Sequence, residues 1–236
     1  MSPIHSRLLI ARDADFPHAA ADQVALEILK AVGERGLCAI ALSGGATPRP
    51  VYEILARPPL LGRLPWDRLH FYFGDERCVP PDHPESNHRM AREALFHRAA
   101  VRPERIHRIE GERTDREGAA AAYEAILPEI LDVLILGMGE DGHTAALFPG
   151  SPALDEKIRR VVAIEGPKPP PLRITITPPV IAAARSVLIL ATGLGKATMA
   201  AQAISGDPDS KKVPAQLARR GTWILDWEAA SELDLR

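Results

Sequence analysis

The residues best suited to chemistry stand in one short segment, Gly137-Met138-Gly139-Glu140-Asp141-Gly142-His143-Thr144. An imidazole titrates near neutrality, so His143 can take a proton from water as a general base. Asp141, two residues earlier, can orient the ring or contact a hydroxyl. Gly139 and Gly142 give the backbone freedom to turn the imidazole into a cleft. No third ligand at a recognisable spacing accompanies Asp141 and His143, so no metal is expected. The same glycines form a literal dinucleotide fingerprint, Gly137-x-Gly139-x-x-Gly142, with Glu165 at the end of the following strand. A true fingerprint opens a helix that packs on the sheet. Here Pro149-Gly150 and Pro152 interrupt the chain within about two turns, so no nicotinamide or flavin cofactor is expected.

Three further segments place polar groups at strand ends. Ser43-Gly44-Gly45-Ala46-Thr47-Pro48 lies between an apolar strand and an apolar-periodic helix. Its glycines can bring N–H groups close to a ligand, Thr47 can cap the helix, and Pro48 suits the first helical turn. Such an N-terminus favours a phosphate or a hydroxylated sugar, although taken alone the segment reads equally as a plain turn. Asp75-Glu76-Arg77 crowd another strand end, where ligands of open α/β sheets bind, and taken alone they read equally as a solvated ion pair. Arg173 opens a strand, and Lys196 follows Thr192-Gly193-Leu194-Gly195 before a helix. Either can hold a phosphate, the Arg through its planar fork and the Lys as a point charge. His88 and His107 lie on helical or exposed-looking stretches and receive no role.

The elements that must position these groups are legible as short apolar runs: 8–11, 39–42, 69–73, 133–136, 161–164, 174–177, 187–191 and 223–225. Val133 to Leu136 and Val187 to Leu190 show no polar alternation, as strands covered on both faces require. Helices are expected over 16–34, 51–56, 87–99, 118–127, 180–184 and 197–204, with Pro167 to Pro171 a loop between two strands. The order is largely strand then helix, which predicts an α/β fold with a mostly parallel, Rossmann-like central sheet between helical layers. No repeat or linker divides the chain, so residues 1–236 are expected to form a single domain.

Composition narrows the partners. The 29 Lys and Arg nearly balance the 31 Asp and Glu, leaving no electrostatic footprint for nucleic acid or an anionic membrane. An anionic ligand must therefore be held by locally placed groups. Cys38 and Cys78 fit no ligand pattern and point to a reducing compartment. The first residues lack a secretory pattern and no run approaches membrane-spanning length, so a cytoplasmic location is expected.

Taken together, Ser43-Gly44-Gly45-Ala46-Thr47-Pro48, Asp75-Glu76-Arg77-Cys78-Val79-Pro80 with Ser86-Asn87, Gly137 to Gly150 ending in Leu147-Phe148-Pro149-Gly150, and Arg173-Ile174-Thr175 resemble the 6-phosphogluconolactonase family in order and spacing. The resemblance runs from about residue 8 to the C-terminal helix. It implies a three-layer αβα fold shared with glucosamine-6-phosphate deaminases and ribose-5-phosphate isomerases. It also implies hydrolysis of 6-phospho-D-glucono-1,5-lactone in the oxidative pentose phosphate pathway, without a cofactor. By that resemblance His143 is the general base, Asp141, Arg77 and Asp75 lie beside it, and Arg173, Lys196 and the Ser43, Gly44, Gly45 and Thr47 loop hold the substrate and its phosphate. The expected partner is a small sugar-phosphate lactone, and the expected assembly a monomer or a weak homodimer. Ala146 departs from the family pattern, where a Ser is expected, and removes a hydroxyl near the site. The nearest alternative is an amino-sugar-phosphate isomerase or deaminase. That reaction needs an acid shortly after the His, and Thr144 to Gly150 contains none. A sugar-phosphate-binding module without catalysis is the alternative from another class, and it has no need of both Asp141 and His143.

Overall fold

A computed structural model describes residues 7–234 of the chain. In chain order the elements are β1 (Arg7–Ala11), α1 (Phe16–Arg35), β2 (Cys38–Leu42), α2 (Pro48–Leu55), α3 (Leu60–Arg63), β3 (Leu69–Phe73), β4 (Asp75–Arg77), α4 (Asn87–Ala91), α5 (Arg116–Ile126), β5 (Val133–Gly137), β6 (Val161–Glu165), β7 (Leu172–Ile176), α6 (Pro178–Ala183), β8 (Ser186–Ala191), α7 (Ala197–Ser205) and β9 (Thr222–Asp226). Six strands pair in parallel in the order β1-β9-β8-β5-β2-β3. The uninterrupted apolar runs account for this: Val133 to Leu136 and Val187 to Ala191 are buried throughout, so both faces of the central strands are covered.

Helix α1 starts with Pro17 in its first turn and buries a face that includes Ala20, Val24, Ile28 and Ala31 at helical spacing. It stops at Gly36, whose φ of 78° a side chain would resist and whose N–H donates to the Val32 carbonyl at 2.8 Å. Among the described residues, no helix is long and apolar enough to cross a membrane.

The strands expected at 161–164 and 174–177 do not join the parallel sheet. They form β6 and β7, an antiparallel hairpin that pairs with β4 in a second, three-stranded sheet. Gly74 joins the two sheets: its N–H donates to the Leu42 carbonyl of β2 and its carbonyl accepts from the Ile176 N–H of β7, both at 2.9 Å. The helix expected over 87–99 is α-helical only to Ala91 and then widens into a π turn over Arg92–Phe96. That turn buries Ala94, Leu95 and Phe96 in succession and sets Phe96 edge-on to Phe71 at 5.1 Å.

Candidate active site

Strand order reverses between β2 and β5, since the chain leaves β2 for β3 on one side and leaves β5 for β8 and β9 on the other. A crevice opens beyond the carboxyl ends of strands at such a point. Backbone pairing of β2 with β5 ends at Ala41 and Leu134. Beyond it the Ser43 hydroxyl accepts from the Gly137 N–H at 3.2 Å, while the buried Tyr52 hydroxyl accepts from the Ser43 N–H at 3.0 Å and donates to its carbonyl at 2.9 Å. The resulting cavity of about 430 Å³ is lined by the 43–48 loop, Asp75, Arg77, His143, Arg173 and Lys196, among others. It thus gathers residues of α2, β4, α4, β5, β7 and β8 and of the loops between them.

The His143 ring is four-fifths buried, its side chain 19% exposed, and its Nδ1 lies 2.5 Å from the Asp141 Oδ1. With Nδ1 bound to a carboxylate, Nε2 is the nitrogen left to act as the base. Burial lowers the affinity of the ring for a proton and outweighs the opposing pull of the Asp141 hydrogen bond and charge, so the imidazole titrates below the ordinary histidine range. Burial alone would raise the Asp141 carboxyl. Hydrogen bonds from Lys168 and His143 overcome that and hold it at about 2. Gly142, at φ 78°, supplies the turn the loop needs. Gly139 acts through space instead, because a Cβ there would lie 2.0 Å from the His143 Nδ1.

The second wall follows from strand alternation. In β4 and β7, Asp75 is paired with Thr175 and Arg77 with Arg173, so Asp75, Arg77 and Arg173 share one face and Glu76 takes the other. Arg173 Nη1 lies 3.7 Å from Asp75 Oδ2, both side chains buried. Burial lowers the proton affinity of the Arg173 guanidinium, Asp75 opposes this, and the Arg77 charge adds to it. Each of the two arginines has a carboxylate partner, Asp75 for Arg173 and Glu85, at 3.3 Å, for Arg77. Arg77 Nη1 donates to the Glu85 carbonyl at 2.7 Å, and its Nε is buried with no hydrogen-bond partner. Glu76 faces away from the cavity. Its carboxylate accepts from the N–H groups of Arg77, Asn87 and His88, each at 2.8 Å, and so holds the start of α4.

Lys196 stands on the opposite side, at the last position before α7, where burial lowers its ammonium and Glu140 opposes that. Thr47 does not cap α2 as expected, because its own backbone is already helical at φ −62° and ψ −48°. Its hydroxyl instead lies 3.0 Å from that of Thr192, tying the loop after β2 to the end of β8. Gly44 packs on Asn87, where a Cβ would fall 1.7 Å from Oδ1.

Sequence reasoning missed two participants. In the sequence Asn87 stands only as part of the resemblance and as the start of a helix, without a role, yet its Nδ2 donates to the Asp75 carbonyl at 2.9 Å on the cavity wall. Lys168 was read only as part of a Pro-rich loop, yet its Nζ lies 2.9 Å from Asp141 Oδ2. A single lysine framed by four prolines was the signal available. Ala146 is fully buried outside the cavity lining, and its N–H donates to the Thr175 hydroxyl at 3.1 Å.

Fold and site together define an α/β protein built around a strand-end crevice, in which a carboxylate-bound imidazole faces walls rich in positive charge. The family model for glucosamine-6-phosphate isomerases/6-phosphogluconolactonase matches residues 11–227. The 6-phosphogluconolactonase of Streptomyces coelicolor is 38% identical over 96% of this chain and 94% of its own. That of Mycobacterium tuberculosis is 38% identical over 97% and 98%. Among solved structures, 6-phosphogluconolactonase from Trypanosoma cruzi superposes with a TM-score of 0.85 at 32% identity, covering 98% of this chain and 97% of that one. A monomeric glucosamine-6-phosphate deaminase, at 22% identity and a TM-score of 0.82 over 96% of this chain and 99% of that one, shares the fold. The chain belongs to the glucosamine-6-phosphate isomerase/6-phosphogluconolactonase family.

Proposed function

We propose that this protein hydrolyses 6-phospho-D-glucono-1,5-lactone to 6-phospho-D-gluconate, a step of the pentose phosphate pathway. The observation that carries the reading is the His143 ring, held at Nδ1 by Asp141 at 2.5 Å on the wall of a cavity that also presents Arg77, Arg173 and Lys196. A δ-lactone carbonyl is already electrophilic, so the protein has only to place it, activate a water and steady the oxyanion. His143 Nε2 takes a proton from water as the oxygen adds to the lactone carbon. The tetrahedral intermediate then collapses, the bond to the ring oxygen breaks, and that oxygen receives the proton from His143. Such a base contributes roughly 10²–10⁴ in rate.

Arg77 on the cavity wall, or N–H groups of the surrounding loops, would steady the oxyanion, and such a donor adds about 3 kcal/mol. Arg173, Lys196 and the loop of Ser43, Gly44, Gly45 and Thr47 hold the phosphate, whose binding energy orients the distant carbonyl. Amino-sugar-phosphate isomerisation fits less well, because the segment after His143 carries no acid for the second proton transfer.

The test is a coupled assay on freshly generated 6-phosphogluconolactone, corrected for spontaneous hydrolysis, with glucosamine 6-phosphate run as the competing substrate. His143→Ala is expected to lower turnover by at least about 10²-fold with the fold intact. Near-normal turnover in that variant, or a preference for glucosamine 6-phosphate in the parent, overturns the reading.

A further inference from the structure

The loop between β6 and β7 is short, proline-laden and pinned at several points. Its sequence is Gly166-Pro167-Lys168-Pro169-Pro170-Pro171. The Gly166 N–H donates to the Pro171 carbonyl at 2.7 Å, closing the loop at its base. Arg173, buried beneath it, donates from Nε to the Pro170 carbonyl at 3.1 Å and from Nη2 toward the Lys168 carbonyl at 3.5 Å. The Arg173 guanidinium lies 5.4 Å from the centre of the Phe148 ring, and that ring packs against His143 at 4.6 Å. Gly166 sits so close to Phe148 that a Cβ would come within 2.5 Å of the ring. Four prolines reduce the conformations this strap can take, so holding Lys168 in one place costs little entropy.

That stiffness separates Lys168 from an ordinary surface ion pair, whose value is eroded by side-chain freedom and solvent. The side chain of Lys168 is 44% exposed, but its backbone is fixed by a buried arginine, and its Nζ reaches Asp141 Oδ2 while His143 occupies Oδ1. The carboxylate is therefore held between two donors from different parts of the chain.

We propose that Lys168 is a positioning residue for the His143 base: carried on the strap, it fixes the second oxygen of Asp141, so that the carboxylate grips the imidazole on one side and spends part of its charge on the other. Without Lys168, Asp141 is free to rotate about its own side chain and its full charge favours the imidazolium. The base then holds its proton too tightly to be regenerated at mildly acidic pH. Other charged groups facing His143 are Asp75 from β4, which favours the imidazolium, and Arg173 from β7 behind Phe148. Lys196 is within electrostatic reach of Glu140, of Lys168 and of Asp141 itself. None of Asp75, Arg173, Lys196 and Glu140 touches Asp141 Oδ2, which leaves Lys168 as its partner.

The inference rests on the proposed lactone hydrolysis for its kinetic arm, whereas its spectroscopic arm needs no substrate. The His143 ring is followed by NMR titration of the isotopically labelled full chain, assigned against His143→Gln, in the parent, Lys168→Met and Lys168→Arg. Lys168→Met is expected to raise the His143 midpoint by about one pH unit and to move the acid limb of kcat/KM upward equally, with Lys168→Arg restoring both. An unchanged midpoint in Lys168→Met overturns the inference, even if turnover falls, because the strap then matters only for shape. A parent inert on the lactone, with the midpoint still moved by Lys168→Met, overturns the proposed hydrolysis and leaves the role of Lys168 standing.

Discussion

Burial lowers the proton affinity of the His143 imidazole, and the Asp141 hydrogen bond and charge keep it from falling further. The sign of the pH dependence follows. In the proposed reaction the neutral ring is the active form, so kcat/KM should fall on the acid side, with a midpoint below the free-histidine value of about 6.5. Asp141→Asn removes the charge that favours the imidazolium, so it should move that limb to still lower pH while reducing turnover; initial rates between about pH 5 and 8 check both. An acid limb that moves upward would contradict the assigned contact. His143 and Asp141 both have folded proton affinities below their unfolded ones, so their contribution to stability is present above the unfolded values and is lost as pH falls through the folded ones. At this scale the contact between His143 and Asp141 was legible in the sequence, because an imidazole and a carboxylate two residues apart in a glycine loop can reach one another. Lys168 was not, because its ion pair with Asp141 depends on where a hairpin loop 27 residues away comes to rest (168 − 141).

Three residues of β4 decide which of two neighbouring carboxylates lines the cavity. Alternation sends Asp75 to the cavity and Glu76 to the start of α4, where Asn87 is then held against Asp75. Gly44 closes this arrangement from β2's side, since a methyl group there would collide with Asn87 Oδ1. Gly44→Ala should therefore displace Asn87, lower kcat/KM by about tenfold and destabilise the fold by about 1–3 kcal/mol, the usual range for overpacking. Steady-state kinetics and a denaturant titration measure the two effects, and unchanged values of both would show that Asn87 has room to retreat. The long apolar strands and α1 were readable from their periodicity. β4 was not, because three charged residues in a row carry no hydrophobic alternation and pair only once β7 is in place. The π turn after α4 was equally hidden, since Phe96 within it packs on Phe71 of β3, a contact made only in the folded chain.

The whole molecule sets the crevice where strand order reverses, and that order is the least legible feature of the sequence. Alternating strands and helices announce a parallel sheet but leave open which strand lies beside which, and only the β2–β5 neighbourhood brings Ser43 to Gly137. Nor does the sequence separate the six strands of the central sheet from the three of the smaller one, for all of them are short and apolar except β4. The two sheets meet in the peptide units on either side of Gly74, whose N–H belongs to one ladder and whose carbonyl belongs to the other. The cavity wall carried by the small sheet is thus fastened to the buried strands of the central one. It follows that this wall has no low-energy opening of its own. The amide deuterons of Gly74 and Ile176 should exchange as slowly as those of Leu134 and Ile189, through global unfolding alone. Native-state exchange measured in increasing denaturant would detect any separate opening of the small sheet as faster loss at Ile176. Its absence would mean that ligands enter and leave past moving side chains, over a cleft whose walls keep a constant separation.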